Sequence, residues 1–195
     1  MQNPIRLRNQ YVYLAIEPQI IEHFTFSLKF LAADLLWIDA LQNISDCAYE
    51  SKIPCTQELK DWIFSTFDSI TRADQRYAFA YRVGGIYLSF FTKDVKGGRI
   101  FLDRASSNFP RDSLILMLAA YHALNNEKNE SRAADLYEKA ALNGAPNWTH
   151  ALAVKLYKKS GHEDDARSLY ETLKDAKLPE NVLKSMRDQL KINEY

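Results

Sequence analysis

The chain has little of what interrupts or cross-links a polypeptide: six Gly, six Pro and two Cys in 195 residues. So few breakers leave long windows in which a helix can run on, which disfavours a sandwich of short strands joined by frequent turns. An excess of either charge is also missing. Lys plus Arg and Asp plus Glu each total 25, for a formal net charge of zero, so no basic surplus is available to neutralise a phosphate backbone and general nucleic-acid binding is disfavoured. No apolar run approaches the ~18 residues of a membrane span. The opening Met1-Gln2-Asn3-Pro4-Ile5-Arg6-Leu7-Arg8 lacks the apolar core of a signal peptide. As written, the chain reads as a cytoplasmic protein.

Catalytic patterns are absent as well. There is no Gly-x-x-x-x-Gly-Lys phosphate loop, no Gly-x-Ser-x-Gly elbow, no His-Glu-x-x-His and no calcium-loop pattern. The glycine pairs Gly84-Gly85 and Gly97-Gly98 lack the strand context of a dinucleotide site and are better explained by close helix packing and turns. The histidines His23, His122, His150 and His162 do not lie three or four residues from one another or from a cysteine, so metal-site spacing is missing. His162-Glu163-Asp164-Asp165 suggests a cation site. A first helical turn, where negative charge favours the macrodipole, explains it better. Asp34 reads either as a buried general acid or, more simply, as a polar residue bonded to a neighbouring helix or Arg. Trp37 and Trp62 read as core fillers before ligand platforms. The expectation is a protein that is not an enzyme and uses neither cofactor nor metal.

What is present is a 47% apolar composition, enough for one domain to bury a core without disulfides or a metal. Cys47 and Cys55 lie eight apart in a stretch with Ser51, Lys52 and Pro54 that reads as a loop between helices. Two free thiols in a reducing cytosol and a Cys47–Cys55 disulfide in an exported protein both remain open. The sequons at Asn43, Asn129 and Asn147 carry no meaning without export.

A period of about 34 residues runs through the chain. Its clearest unit spans Asn147 to Lys177: a helix with Leu152, Leu156 and Tyr157, a break at Ser160-Gly161-His162, then a helix with Ala166, Leu169, Tyr170 and Leu173, ended by Pro179. The preceding unit repeats this with Leu114, Met117, Leu118 and Tyr121, a polar turn from Asn125 to Glu130, then Ala133, Tyr137 and Ala140, ended by Pro146. The interval from Ala133 to Ala166 equals that from Tyr137 to Tyr170, so a small and an aromatic residue recur together. Further back, Tyr81, Val83, Gly84 and Tyr87 precede Gly98, Leu102 and Ala105, with Phe109-Pro110 as the stop. An earlier, looser pair uses Leu28, Leu31, Leu35 and Ile38, spaced for one helix face, then Leu59, Trp62, Ile63, Phe67 and Ile70. Pro179 and Glu180 open a last helix, apolar at Val182, Leu183, Met186 and Leu190 and polar at Lys184, Arg187, Asp188 and Lys191, as a capping helix requires.

These positions resemble the tetratricopeptide repeat: Gly84 and Tyr87 in one unit, Tyr121, Ala133, Tyr137 and Ala140 in the next, Tyr157, Gly161, Ala166 and Tyr170 in the last. Leu118 and Val154 depart from it, standing where a small residue is usual. The resemblance covers roughly residues 24 to 175. It implies an all-α, right-handed superhelix of helical hairpins, in pairs at about 24–72, 77–108, 112–143 and 147–175, with an irregular segment at 1–23 and a cap at 179–192. Leu31-Ala32-Ala33-Asp34-Leu35-Leu36-Trp37, with Tyr81-Arg82-Val83-Gly84-Gly85, is also similar to a narrower set of bacterial repeat proteins, frequent in deltaproteobacteria and often membrane-anchored at the N-terminus. An anchor of that kind upstream of Met1, with a basic N-terminal flank, would place the domain on the periplasmic side.

The resemblance further implies a scaffold or adaptor that holds a segment of another protein on the concave face. It places there Tyr81, Gly85, Leu88 and Ser89 from one unit, Asp112, Ile115, Ala119 and His122 from the next, and Trp148, Ala151, Lys155, Lys158 and Lys159 from the last. Such a groove would run from apolar and aromatic to basic and suit an apolar or acidic partner segment. The family's carboxylate clamp is missing, since Tyr81, Gly85, Leu116, Trp148 and Leu152 occupy the comparable places. A structural subunit of a bacterial membrane-associated, motility or secretion assembly, or a homo-oligomer using other surfaces, is the alternative.

Overall fold

The computed structural model describes residues 28–44, 56–175 and 178–192. Cys47, Cys55 and the segment 1–23 lie outside them. The described residues form nine α-helices, α1 Lys29–Asn43, α2 Gln57–Ala73, α3 Ala78–Ile86, α4 Val95–Asn108, α5 Ser113–Asn125, α6 Glu130–Leu142, α7 Trp148–Lys159, α8 Glu163–Leu173 and α9 Glu180–Leu190, with a π-helical segment, Tyr87–Phe91, continuing α3. The chain divides into two compact units at Gln75 and Arg76.

In the first unit α1 packs along α2. Thr56 caps α2, its side chain accepting the Leu59 N–H at 3.3 Å, and Glu58 in the first turn and Arg72 in the last suit the helix dipole. Arg72 donates to the buried Asp68 at 2.7 Å. Trp62 is buried, and the half-buried Trp37 lies 6.2 Å from Phe67, as fillers do. Leu28, Leu31, Leu35 and Ile38, spaced for one helix face, are each more than half exposed, and α1 buries Ala33 and Ala40 instead. Alanine lets two helices approach closely, which a leucine at the contact would hold apart. Asp34 is exposed, so it is not a buried general acid.

The second unit is a run of hairpins in which each helix packs on the next: α4 on α5, α5 on α6, α6 on α7, and α7 on both α8 and α9. Small residues line these contacts, with Gly98, Ala105, Ala133, Ala140, Ala153 and Ala166 all buried. Each hairpin turns at a residue in the left-handed backbone region: Lys93 (φ 49°), Lys128 (φ 58°) and Gly161 (φ 82°). The next residue precedes the second helix each time. Asp94 accepts the Gly97 N–H at 2.9 Å and Asn129 the Arg132 N–H at 3.0 Å, while at the third turn His162 makes no side-chain cap. Acidic residues fill the first turn of α8 there, Glu163, Asp164 and Asp165, where they favour the macrodipole. After Pro179, α9 buries Val182, Met186 and Leu190 against α7 and α8.

Candidate partner-binding surface

Every proposed groove residue lies in the second unit, and burial sorts them into two groups. Tyr81, Gly85, Leu88, Ser89, Ile115, Ala119 and His122 are buried, which corrects their assignment to an open groove. Each has a packing task. The Tyr81 hydroxyl accepts from Asn108 at 2.8 Å, and its ring lies 5.3 Å from Phe101 and 5.6 Å from Phe109. A Cβ on Gly85 would stand 2.8 Å from a Leu102 methyl, so α3 and α4 approach there through the missing side chain. Asp112 is half-buried and caps α5, accepting from the Leu114 and Ile115 N–H groups at 3.1 Å while its other oxygen pairs with Arg82 at 2.5 Å.

His122, only 1% exposed, closes the π segment onto α5. Its Nε2 lies 3.0 Å from the Val95 carbonyl, which can only accept, so Nε2 carries the proton and Nδ1 accepts. Nδ1 is met by the Ser89 hydroxyl at 3.0 Å and by the Asn126 amide at 2.9 Å, and the same amide donates to the Ser89 carbonyl at 2.9 Å. The Ser–His contact is buried in the interior. Gly98 makes room for the ring, since a Cβ there would fall 2.2 Å from the imidazole Cε1.

The second group stays accessible. Trp148 is 49% exposed, Lys155 and Lys159 are exposed, and Ala151 and Lys158 are half-buried. All project from one side of α7. One repeat before Ala151, Lys155 and Lys158 stand Met117, Tyr121 and Leu124 on α5, and the same interval again leads to Val83, Tyr87 and Phe90; all nine are half-buried or exposed. The partly open sides of the three leading helices therefore recur at a fixed interval. Leu114, which precedes Trp148 by that same interval, is 44% exposed. On α5 the residues that the resemblance assigns, Ile115, Ala119 and His122, lie two positions before Met117, Tyr121 and Leu124 and are buried, whereas these three are half-buried.

An aromatic contact connects two of these sides, and another braces the third from α6. Phe90 stacks on Tyr121 with ring centroids 4.0 Å apart and planes 14° apart, and Tyr137 meets Trp148 edge-on at 6.1 Å. Burial raises the Tyr137 pKa above the ordinary phenol value, with a smaller contribution from Tyr121. Of the lysines, Lys158 donates to the Gln189 carbonyl at 2.5 Å and Lys159 pairs with Glu130. Lys155 has no hydrogen bond or ion pair among the described residues.

Between α6 and α7 the Tyr157 hydroxyl lies 2.7 Å from Asp135 and 2.6 Å from Glu138. Burial, and then its bonds to Glu138 and Asp135, push this phenol far above its usual range. His150, buried with Nδ1 unpartnered, is held below the ordinary imidazole value by burial, which Glu138 partly opposes. Among the described residues no group of three or more His, Cys, Asp or Glu side chains is placed to hold a metal, and no helix is long and apolar enough to cross a membrane.

No family model, no curated protein and no solved structure matches the chain, so all that is established of its class is an all-helical domain whose described helices pack in sequential antiparallel pairs.

Proposed function

We propose that the chain is a protein-binding scaffold of the tetratricopeptide-repeat type and that a segment of a partner protein docks across the partly open sides of α3 with its π segment, α5 and α7. The observation that carries this reading is the recurrence, at the repeat interval, of accessible positions on successive leading helices. Packing explains the buried positions of a repeat. It does not require the open ones to stay apolar, and Met117, Tyr121, Leu124 and Phe90 are apolar where solvent would favour polar side chains. The right-handed superhelix belongs to this proposal.

Affinity capture with the tagged full chain tests it. Met117→Lys, Tyr121→Ala and Lys155→Glu together should deplete a set of captured proteins that Arg167→Glu on α8 leaves in place, with circular dichroism confirming that both variants stay helical. Capture of the same proteins by both variants would overturn the docking surface.

Association through the first unit is a second reading, favoured by the exposed Leu28, Leu31, Leu35 and Ile38 on α1. Light scattering across protein concentration checks it: a constant mass would reject self-association, and Leu31→Glu with Leu35→Glu should abolish any rise.

A further inference from the structure

The open side of the leading helices changes chemistry within one repeat. At corresponding places Tyr121 and Leu124 on α5 give way to Lys155 and Lys158 on α7. None of the nine recurring positions carries a carboxylate, although the chain has as many acidic as basic residues. Two of the nearby cations are already engaged, Lys158 with the Gln189 carbonyl of α9 and Lys159 with Glu130 of α6. Lys155 is exposed and holds no partner among the described residues. On the same side of α7, seven residues earlier, stands the half-exposed Trp148, braced edge-on by Tyr137.

We infer that the partner segment joins an apolar or aromatic side chain, seated at Trp148, to an Asp or Glu side chain that meets Lys155. This rests on the docking surface proposed above and specifies its occupant. Seven residues at about 1.5 Å rise separate the two subsites by ~10 Å along α7. An extended partner covers that distance in about three residues, and a helical one in about seven. The ammonium contributes chiefly to selecting the acidic segment and steering its approach, because an exposed ion pair is a modest and salt-sensitive source of affinity. The ring and its apolar surroundings supply the larger share, through burial of a rigid aromatic surface.

The test is selection of a random dodecapeptide display library on the immobilised full chain, read by sequencing. Wild type should enrich peptides in which an apolar or aromatic residue lies three or seven positions from Asp or Glu. Lys155→Glu, a change at an exposed position that leaves folding intact, should remove the acidic preference and keep the apolar one, whereas Trp148→Ala should lose the apolar preference. For a synthetic enriched peptide, replacing its acidic residue by Ser should weaken binding about threefold at low salt and by less at high salt. Enrichment of apolar peptides without acidic bias, or an acidic bias that survives Lys155→Glu, would overturn the assigned partner chemistry and leave the docking surface standing. No enrichment on wild type would overturn the docking surface itself.

Discussion

The α4–α5 and α6–α7 junctions occupy corresponding places in successive repeats yet are closed by different chemistry. At the first, Gly98 faces the ring of His122, and the buried imidazole has partners on both nitrogens in Val95, Ser89 and Asn126. At the second, Ala133 on α6 is the buried small residue and the polar aromatic group on α7 is Tyr157, whose hydroxyl reaches Asp135 and Glu138 near the surface. A polar aromatic group at a helix junction must bring its own hydrogen-bond partners. The deeper one needs a glycine to admit it as well. The backbone thus repeats while the tolerance of each junction to mutation differs.

The largest effect is expected at Gly98. Gly98→Ala gains helix propensity in principle, but its methyl would collide with a ring held by three hydrogen bonds, so the chain should lose about 1–3 kcal/mol, the usual cost of overpacking. Urea unfolding measures it. His122→Ala in the Gly98→Ala background should recover part of the loss, because the obstacle is then gone. Ala133→Gly at the second junction should cost about 1 kcal/mol by helix propensity, with no rescue from changing Tyr157. If Gly98→Ala proves neutral, the two junctions are alike and the comparison fails.

The second junction should respond to acid. His150 on α7 is buried and its folded pKa lies below the ordinary 6.5. A depressed folded value means that the unfolded chain takes up the proton first on acidification. The stability contribution is therefore fully present above about pH 6.5 and lost as pH falls through the folded value. Midpoint temperatures measured from pH 8 to pH 5 should fall on the acid side. His150→Leu, which leaves no stranded partner because Nδ1 has none, should flatten that fall. An identical acid profile in wild type and variant would remove His150 as the cause.

Much of the fold was legible because alanine and tyrosine recur together: Ala133 with Ala166 and Tyr137 with Tyr170 located the hairpins of the second unit. The open surface was read less well, for a physical reason. Helix α5 is apolar on nearly every side, so polarity gives no clue to which residues face solvent, and a shift of two positions separates the half-buried Met117, Tyr121 and Leu124 from the buried Ile115, Ala119 and His122. Helix α7 carries lysines on one side, and the residues assigned there, Trp148, Ala151, Lys155, Lys158 and Lys159, are half-buried or exposed. On α1 the spacing of the larger apolar side chains does not mark the contact. Leu31 and Leu35 fit the pattern of a core stripe, but Ala33 and Ala40 are the buried residues. Nor did the sequence mark the common turn geometry, since the left-handed residue is lysine at two turns and glycine at the third.

That difference gives the smallest expected effect and isolates the turn from the packing around it. Lys128 and Gly161 stand at corresponding turns of successive repeats, both with positive φ. A side chain in the left-handed region costs roughly 1–2 kcal/mol, which glycine avoids while giving up about 0.5–1 kcal/mol through its freer unfolded chain. Lys128→Gly should therefore raise stability by roughly half a kcal/mol. The reverse change, Gly161→Ala, meets no atom within 4 Å of the new Cβ, so its cost is backbone strain alone and should be of the same size with the opposite sign. Paired urea titrations of the two variants decide the matter. Equal and opposite shifts would mean that the turns are interchangeable, whereas a loss in Lys128→Gly would show that the lysine side chain contributes something at its turn that the glycine turn does without.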